Sequence, residues 1–144
     1  MRPKGALTRP AHAAHWRRWV LWLWASPNTM VGLLGITLWW CAGAQVRCVG
    51  GALEAALPAP RCKRARRRHL PFAAITLGHV VIAATAEDME RWRAHERVHV
   101  QQYERWGPLF LPAYLLAGGW QLCCRRNAYW DNPFEVEARR VGGG

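Results

Sequence analysis

The sequence is short of acidic residues and lacks cysteine pairs with metal-binding spacing. Only 9 of the 144 residues are Asp or Glu, whereas 20 are Lys or Arg. The 5 cysteines are an odd number without a CxxC pair, so neither a disulfide framework nor a cysteine zinc knuckle is indicated. No internal repeat is visible, and a chain of this length fits a single domain.

The excess of basic residues predicts attraction to polyanions. A formal net charge of +11 suits anionic lipid headgroups or nucleic acid. The 10 Trp favour lipid, because tryptophan gathers where an apolar region meets water. Four of them lie close together in the sequence: Trp16, Trp19, Trp22 and Trp24. Membrane lipid is therefore the expected partner and nucleic acid is not, since the aromatic residues do not interleave with the arginines.

Residues 19–44 form an apolar segment that is expected to associate with a membrane. They contain no charged residue over 26 positions, which exceeds the roughly 20 residues that a helix needs to cross a bilayer. Pro27 interrupts the segment and favours a kinked span or a shallow re-entrant hairpin. Basic residues flank it in a disordered arm at 1–18 and a linker at 45–71. Both flanks prefer the cytoplasmic face, so the expected location is the bacterial inner membrane with cytoplasmic-facing basic segments.

Residues 72–140 carry the pattern of one α+β domain, mainly α. The stretch Phe72–Ala84 predicts one short strand or hairpin, because it is partly β-branched and is broken by Gly78-His79. Turn and capping signals divide the remainder into three helices, which begin or end at Thr85, Gly107-Pro108 and Asn132-Pro133.

His95-Glu96-Arg97-Val98-His99 is an HExxH motif inside the longest of these predicted helices. Residues four apart lie one helical turn from each other, so both imidazoles leave the same face and can bind one ion. Glu96 lies beside them and is the expected general base. This pattern on a helix indicates a zinc hydrolase, and the alternative is a helix whose histidines are merely buried or idle.

Zinc needs a third protein ligand, which must come from downstream of His99. Glu104 is on the same helix and is rotated off the motif face, and the downstream cysteines lie in the apolar helix. Glu135 is the preferred ligand and Glu137 the substitute, because the last helix can pack against the motif helix and present a carboxylate. With Asn132 as N-cap, Glu135 would alternatively close a capping box.

Two segments of the chain resemble a bacterial domain of unknown function that is regarded as a predicted zinc peptidase. The strings AITLGHVVI at 74–82 and AHERVHVQQ at 94–102 are similar to its a-x-T-x-G-x-x-I strand and its A-H-E-x-x-H-V-x-Q-Q helix. More broadly, the chain resembles the gluzincin metallopeptidases, whose third ligand opens an E-x-x-A-D segment. Glu135-Val136-Glu137-Ala138 is similar to that segment, which supports Glu135 over Glu137. The resemblance covers about residues 72–140 and implies a minimal zincin-like helical core.

Two departures from the gluzincin pattern concern the surroundings of the expected site. Arg139 stands where the wider family usually has Asp, which removes an expected outer partner of a zinc histidine. The spacing from His99 to Glu135 is also short and leaves little room for a substrate cleft. An oxyanion donor is still required, and the candidates are Tyr103, Tyr129 and His79.

The residues and the resemblance together predict a membrane-associated zinc metallopeptidase that acts on a peptide or protein substrate. Zn²⁺ is the expected cofactor and supplies the Lewis acidity that activates water, whose proton Glu96 takes. The alternative is a non-catalytic, membrane-bound basic binding protein. The predicted metal ligands are His95, His99 and Glu135.

Overall fold

The computed structural model describes residues 19–58 and 72–143. The predicted basic arm at 1–18 and the arginine cluster of the predicted linker, within 59–71, lie outside the described residues. After helical residues 19–24, the elements follow in this order: helix α1 (Ser26–Cys41), strands β1 (Gln45–Val49), β2 (Ala52–Ala56), β3 (Ala74–Leu77) and β4 (Val80–Ala83), helix α2 (Ala86–Trp106), a 3₁₀ turn (Gly107–Leu109), helix α3 (Phe110–Cys123) and helix α4 (Pro133–Gly142).

The four strands form one mixed sheet in the order β1-β2-β4-β3. β1 and β2 form an antiparallel hairpin through Gly50 and Gly51, whose φ values of 53° and 87° suit a two-residue turn. β3 and β4 form a second hairpin, and β2 pairs in parallel with β4. This arrangement leaves β3 at one edge of the sheet.

The sheet lies between α1 and α2, and the side chains of β4 alternate between the two helices. Val80 and Ile82 belong to the apolar cluster on the α1 side, whereas Val81 and Ala83 belong to the cluster on the α2 side. All four residues of β4 are buried. A strand that is covered on both faces reads as a continuous apolar run, which is how β4 appears in the sequence.

Helix α2 has a side-chain N-cap and is bound to the sheet by two of its arginines. The Thr85 side chain accepts a hydrogen bond from the backbone N–H of Asp88, as predicted for its N-cap. Arg97, inside the HExxH motif, donates to Oε1 of the buried Glu54 on β2 at 3.0 Å and to the Gly50 carbonyl at 3.0 Å. Arg93 also donates to Glu54. The non-ligand positions of α2 therefore tie the motif to the sheet.

The predicted α+β class, mainly helical, is confirmed, but two parts of the predicted fold are wrong. The single strand or hairpin is in fact a four-stranded sheet, and its first hairpin falls within residues 45–71 of the predicted linker. The prediction that residues 19–44 form a helical segment able to cross a membrane is also wrong. None of the helices within residues 19–58 and 72–143 combines the length and apolar character that crossing a membrane requires.

The packing of α1 gives the physical reason for the second correction. Thr29, Gly32 and Ile36 are buried, and they line the side of α1 that lies on the second hairpin. A Cβ at Gly32 would lie 2.6 Å from the Cβ of Val80, so the helix approaches the sheet as closely as a glycine allows. A sequence segment without charged residues can therefore be a helix that packs on a sheet. Hydropathy alone does not distinguish such a helix from one that crosses a membrane.

Candidate metal centre

Three side chains from two helices converge on one point. The Nε2 atoms of His95 and His99 lie 3.2 Å apart. Oε2 of Glu135, from α4, lies 3.2 Å from Nε2 of His95, and its Oε1 lies 3.4 Å from Nε2 of His99. All three residues are buried, and their ligand atoms form the group within the described residues that can hold a metal ion. The structure therefore brings together the three residues that the sequence proposes as ligands.

The separations between these nitrogen and oxygen atoms fit a tetrahedral zinc ion. Zn–N and Zn–O bonds of about 2.0–2.2 Å at tetrahedral angles place the ligand atoms about 3.3–3.5 Å from each other. The three observed separations are 3.2, 3.2 and 3.4 Å. The Glu135 carboxylate is buried, and each of its two oxygens faces the Nε2 atom of one histidine. Two imidazole nitrogens and a buried carboxylate are a common ligand set for zinc.

Electrostatic coupling among the three residues opposes the cost of burial. Burial raises the pKa of Glu135, but hydrogen bonds from His95 and His99 and the charge of His99 outweigh it, so the pKa is far below its ordinary value of 4.5. Burial lowers the pKa of His99, but the Glu135 carboxylate and the charge of Glu96 raise it above 6.5 overall. Without a metal, the Glu135 carboxylate therefore favours the protonated form of His99.

Glu96 faces the same cleft as the ligands and is held by the edge strand. Its Oε2 accepts a 2.6 Å hydrogen bond from the hydroxyl of Thr76 on β3. Burial raises the pKa of Glu96 above its ordinary value, and the Thr76 hydrogen bond and the two histidines offset this only in part. A carboxylate with a raised pKa takes up a proton more readily, which suits a general base.

Gln102 fixes the ring of His99. Oε1 of Gln102 lies 2.8 Å from Nδ1 of His99, so the ring donates there and leaves Nε2 free to bind a metal. The amide nitrogen of Gln102 donates to the Phe134 carbonyl at 3.0 Å and to Oε2 of Glu137 at 2.8 Å. Glu137, the substitute ligand of the sequence analysis, is therefore not a ligand but the hydrogen-bond partner of Gln102. It also accepts a hydrogen bond from Arg105.

His95 lacks such a partner, in agreement with the departure noted at Arg139. Nδ1 of His95 is buried and makes no hydrogen bond to any described residue. Arg139 is turned towards the third ligand, with its Nη1 4.0 Å from Oε2 of Glu135. Its guanidinium also lies over the Trp130 ring, 4.8 Å from the centroid. The two histidines are therefore held unequally.

The predicted oxyanion candidates lie in different places, and a third phenol contacts one of the ligands. The hydroxyl of Tyr114, on α3, donates to Oε1 of Glu135 at 2.8 Å. Tyr103 and Tyr129 line the cleft, and burial with the nearby Glu135 carboxylate raises the pKa of Tyr129 to about 12. His79 is not among the cleft residues, since its Nε2 pairs with Glu104 and its ring stacks on Trp22.

The cleft beside the centre is narrow and mostly apolar. Its volume is about 240 Å³. Its polar lining comes from Thr76, Glu96 and the three ligand residues, and the other lining residues are aromatic or aliphatic: Phe72, Ala74, Ile75, Leu77, Tyr103, Phe110, Leu111, Tyr114 and Tyr129. The space is that of one large side chain, in keeping with the short spacing between His99 and Glu135.

No protein-family model, no curated protein and no solved structure matches this chain. The chemistry of the centre is therefore inferred from its own geometry.

Three residues of the centre were not assigned a role from the sequence: Thr76, Gln102 and Tyr114. Thr76 and Gln102 lie within the two strings that resemble the zinc peptidase domain, and that resemblance was the available signal. Tyr114 has no comparable signal, because α3 is apolar throughout and its aromatic residues read as packing.

Proposed function

We propose that this protein is a zinc-dependent peptidase, with His95, His99 and Glu135 as the metal ligands. The observation that carries the proposal is the convergence of two buried imidazole Nε2 atoms, 3.2 Å apart, with a buried carboxylate whose two oxygens lie 3.2 and 3.4 Å from them. A shared tetrahedral zinc ion holds its ligand atoms at such separations. Zinc, when bound, supplies Lewis acidity that activates water and polarises a carbonyl group.

Each neighbouring residue has a role that follows from its contacts. Glu96 takes a proton at a carboxylate oxygen, while the Thr76 hydroxyl keeps that carboxylate turned into the cleft. Gln102 keeps the proton of His99 on Nδ1. Tyr114 holds Oε1 of Glu135 by donating its hydroxyl hydrogen to it.

The proposed substrate is a peptide or protein. The cleft lining combines a few polar side chains with many apolar ones, which suits a backbone amide flanked by an apolar side chain. Nucleic acid is not proposed as a substrate, because the cleft residues include no Lys or Arg.

Zinc content and turnover test the proposal together. Elemental analysis of the purified full chain is expected to give one zinc per chain, and His95→Ala is expected to remove it. Glu96→Gln is expected to keep the zinc and lower cleavage of a peptide mixture by at least about a hundredfold. A wild-type chain without zinc, or a Glu96→Gln variant with full activity, would contradict the proposal.

The non-catalytic binding protein remains the second candidate, because α3 and Trp130 expose apolar side chains on a chain of net charge +11. In that case Glu96→Gln changes no measured property. Membrane association and the bacterial inner-membrane location stay predictions, and flotation of the expressed protein with membranes would check them.

A further inference from the structure

Helix α3 exposes one entire side that carries no polar side chain. Its buried residues are Phe110 and Gly118. The outward side, termed here the α3 face, consists of eight exposed residues: Leu111, Pro112, Leu115, Leu116, Gly119, Trp120, Leu122 and Cys123. Leu115, Leu116 and Trp120 are 63%, 75% and 68% exposed. An exposed leucine is ordinary by itself, but a whole helix side without one polar group marks an interaction surface.

Charges next to the α3 face indicate the nature of its partner. Arg125 and Arg126 follow the helix directly and are exposed. Trp120 and the nearby Trp130, both more than half exposed, have rings that suit the boundary between an apolar region and water. Two basic residues and tryptophans at the end of an apolar helix match an anionic lipid surface, where the helix lies flat and the arginines meet headgroups.

A second copy of the chain fits this surface less well. Each copy carries a net charge of +11, and a symmetric contact through the α3 face brings the Arg125-Arg126 pair of each copy near the shared interface. The α3 face includes no acidic residue that could neutralise them. An anionic bilayer complements this charge, whereas a second copy repels it.

The same helix forms a wall of the candidate metal centre. Leu111 belongs to the α3 face and also lines the cleft, and Tyr114, less than one turn further on, bonds to Glu135. The apolar cleft lining is therefore continuous with the α3 face. Any partner that binds the α3 face therefore lies next to the cleft.

We propose that the α3 face rests on an anionic bilayer, and that the metal centre acts on polypeptide segments held at that bilayer surface. The first part stands on the α3 face alone. The second part rests on the proposed peptidase function, because it specifies which polypeptides reach the cleft.

Vesicle binding tests the first part with the full chain carrying Glu96→Gln, so that turnover plays no role. The protein is expected to sediment with phosphatidylglycerol–phosphatidylcholine vesicles and much less with phosphatidylcholine alone. Leu115→Gln/Leu116→Gln is expected to weaken this binding at least about tenfold. Val141→Gln, on α4 and 65% exposed, is the control and is expected to bind as the parent does. Thermal unfolding and zinc content verify that each variant is folded.

Three results would overturn the lipid surface. They are the absence of vesicle binding, an equal loss in Val141→Gln and Leu115→Gln/Leu116→Gln, and a dimer in solution that the double variant dissociates while vesicle binding is unchanged. The last result would assign the α3 face to a second copy.

Peptide cleavage tests the second part, and for this test the protein keeps Glu96. One peptide sequence is offered free and attached to the same vesicles through an acyl chain. Faster cleavage of the attached peptide is expected, and Leu115→Gln/Leu116→Gln is expected to remove that difference while it leaves cleavage of the free peptide unchanged. Equal cleavage of both forms by the wild type overturns the second part. If neither peptide is cleaved although vesicle binding depends on the α3 face, the peptidase function fails and the lipid surface stands.

Discussion

Nδ1 of His99 lies 2.8 Å from Oε1 of Gln102, one turn further along the same helix. Gln102 is fully buried and uses its amide nitrogen on the Phe134 carbonyl and on Glu137. Because both hydrogens of this nitrogen are occupied, the amide cannot turn without losing two hydrogen bonds. The contacts from α4 thus determine which end of the Gln102 amide meets His99, and thereby which nitrogen of His99 faces the centre.

Gln102→Ala is expected to weaken zinc binding about 10- to 100-fold, because the His99 ring loses the partner that fixes its orientation. Competition with a chromophoric chelator measures this affinity. Gln101→Ala, at the neighbouring exposed position, is the control and is expected to have the parent affinity. Equal affinities in the two variants would show that Gln102 only packs.

Tyr114→Phe is expected to lower zinc affinity about tenfold, because Glu135 loses a 2.8 Å hydrogen bond to a charged oxygen. The phenyl ring keeps its packing against Phe110 and Phe134, so the zinc-free protein should unfold within a few degrees of the parent. Isothermal titration with zinc and thermal unfolding with a chelator measure the two effects. An unchanged affinity would mean that Glu135 is positioned without Tyr114.

Gly142→Ala is expected to destabilise the protein and to weaken zinc binding. A Cβ at Gly142 would lie 2.6 Å from the Ala94 carbonyl oxygen and from Cα of His95, both backbone atoms of α2. The resulting overpacking costs about 1–3 kcal/mol and pushes α4, which carries Glu135, away from the histidines. Urea unfolding measures the first effect and zinc titration the second.

The matched control for that substitution is Gly119→Ala on α3, where a Cβ meets no atom within 4 Å. It is expected to stabilise the helix by up to about 1 kcal/mol. A loss of stability at both positions would show that the close approach of α4 to α2 is not the cause.

The stability of the zinc-free protein is expected to fall as the pH rises above 6.5. The pKa of His99 is raised in the folded state, so its contribution to the free energy of unfolding is complete below 6.5 and is lost as the pH passes the folded pKa. The lowered pKa of Glu135 has its effect at acidic pH. The contribution of Glu135 to the free energy of unfolding is complete above pH 4.5 or so and is lost in more acidic solution. Thermal unfolding with a chelator at pH 5–8 should therefore show a maximum between these values.

Zinc is expected to reverse the trend above 6.5, because binding requires a neutral His99 and displaces its proton. The zinc-loaded protein should keep or gain stability from pH 6.5 to 8. Glu135→Gln removes the charge that raises the pKa of His99, and its zinc-free form should lack the decline. A zinc-free parent protein that grows more stable over this range would contradict the coupling.

Local sequence signals predicted much of the second half of the chain. Thr85 and Asn132 each cap the helix that they were expected to cap, and the longest helix ends at Gly107. The shared face of His95 and His99 follows from the helical repeat alone, because residues four apart are neighbours in any α-helix. The first hairpin, with its Gly50-Gly51 turn, is not predicted from the sequence, because its two strands are only five residues long and lie in a stretch whose Gly, Ala, Pro and Arg content is typical of a linker.

The sequence by itself determined α2, its start and its end, and the two imidazoles that leave one face. Only the tertiary structure decided that Glu135 meets the histidines while Glu137 bonds behind His99, that Thr76 from a strand holds Glu96, and that α1 covers a sheet. The physical reason is the distance along the chain over which each feature is decided. Helix geometry and caps depend on residues within one or two turns, whereas these contacts depend on how α4, the β3 edge and α1 pack, and packing is a property of the whole chain.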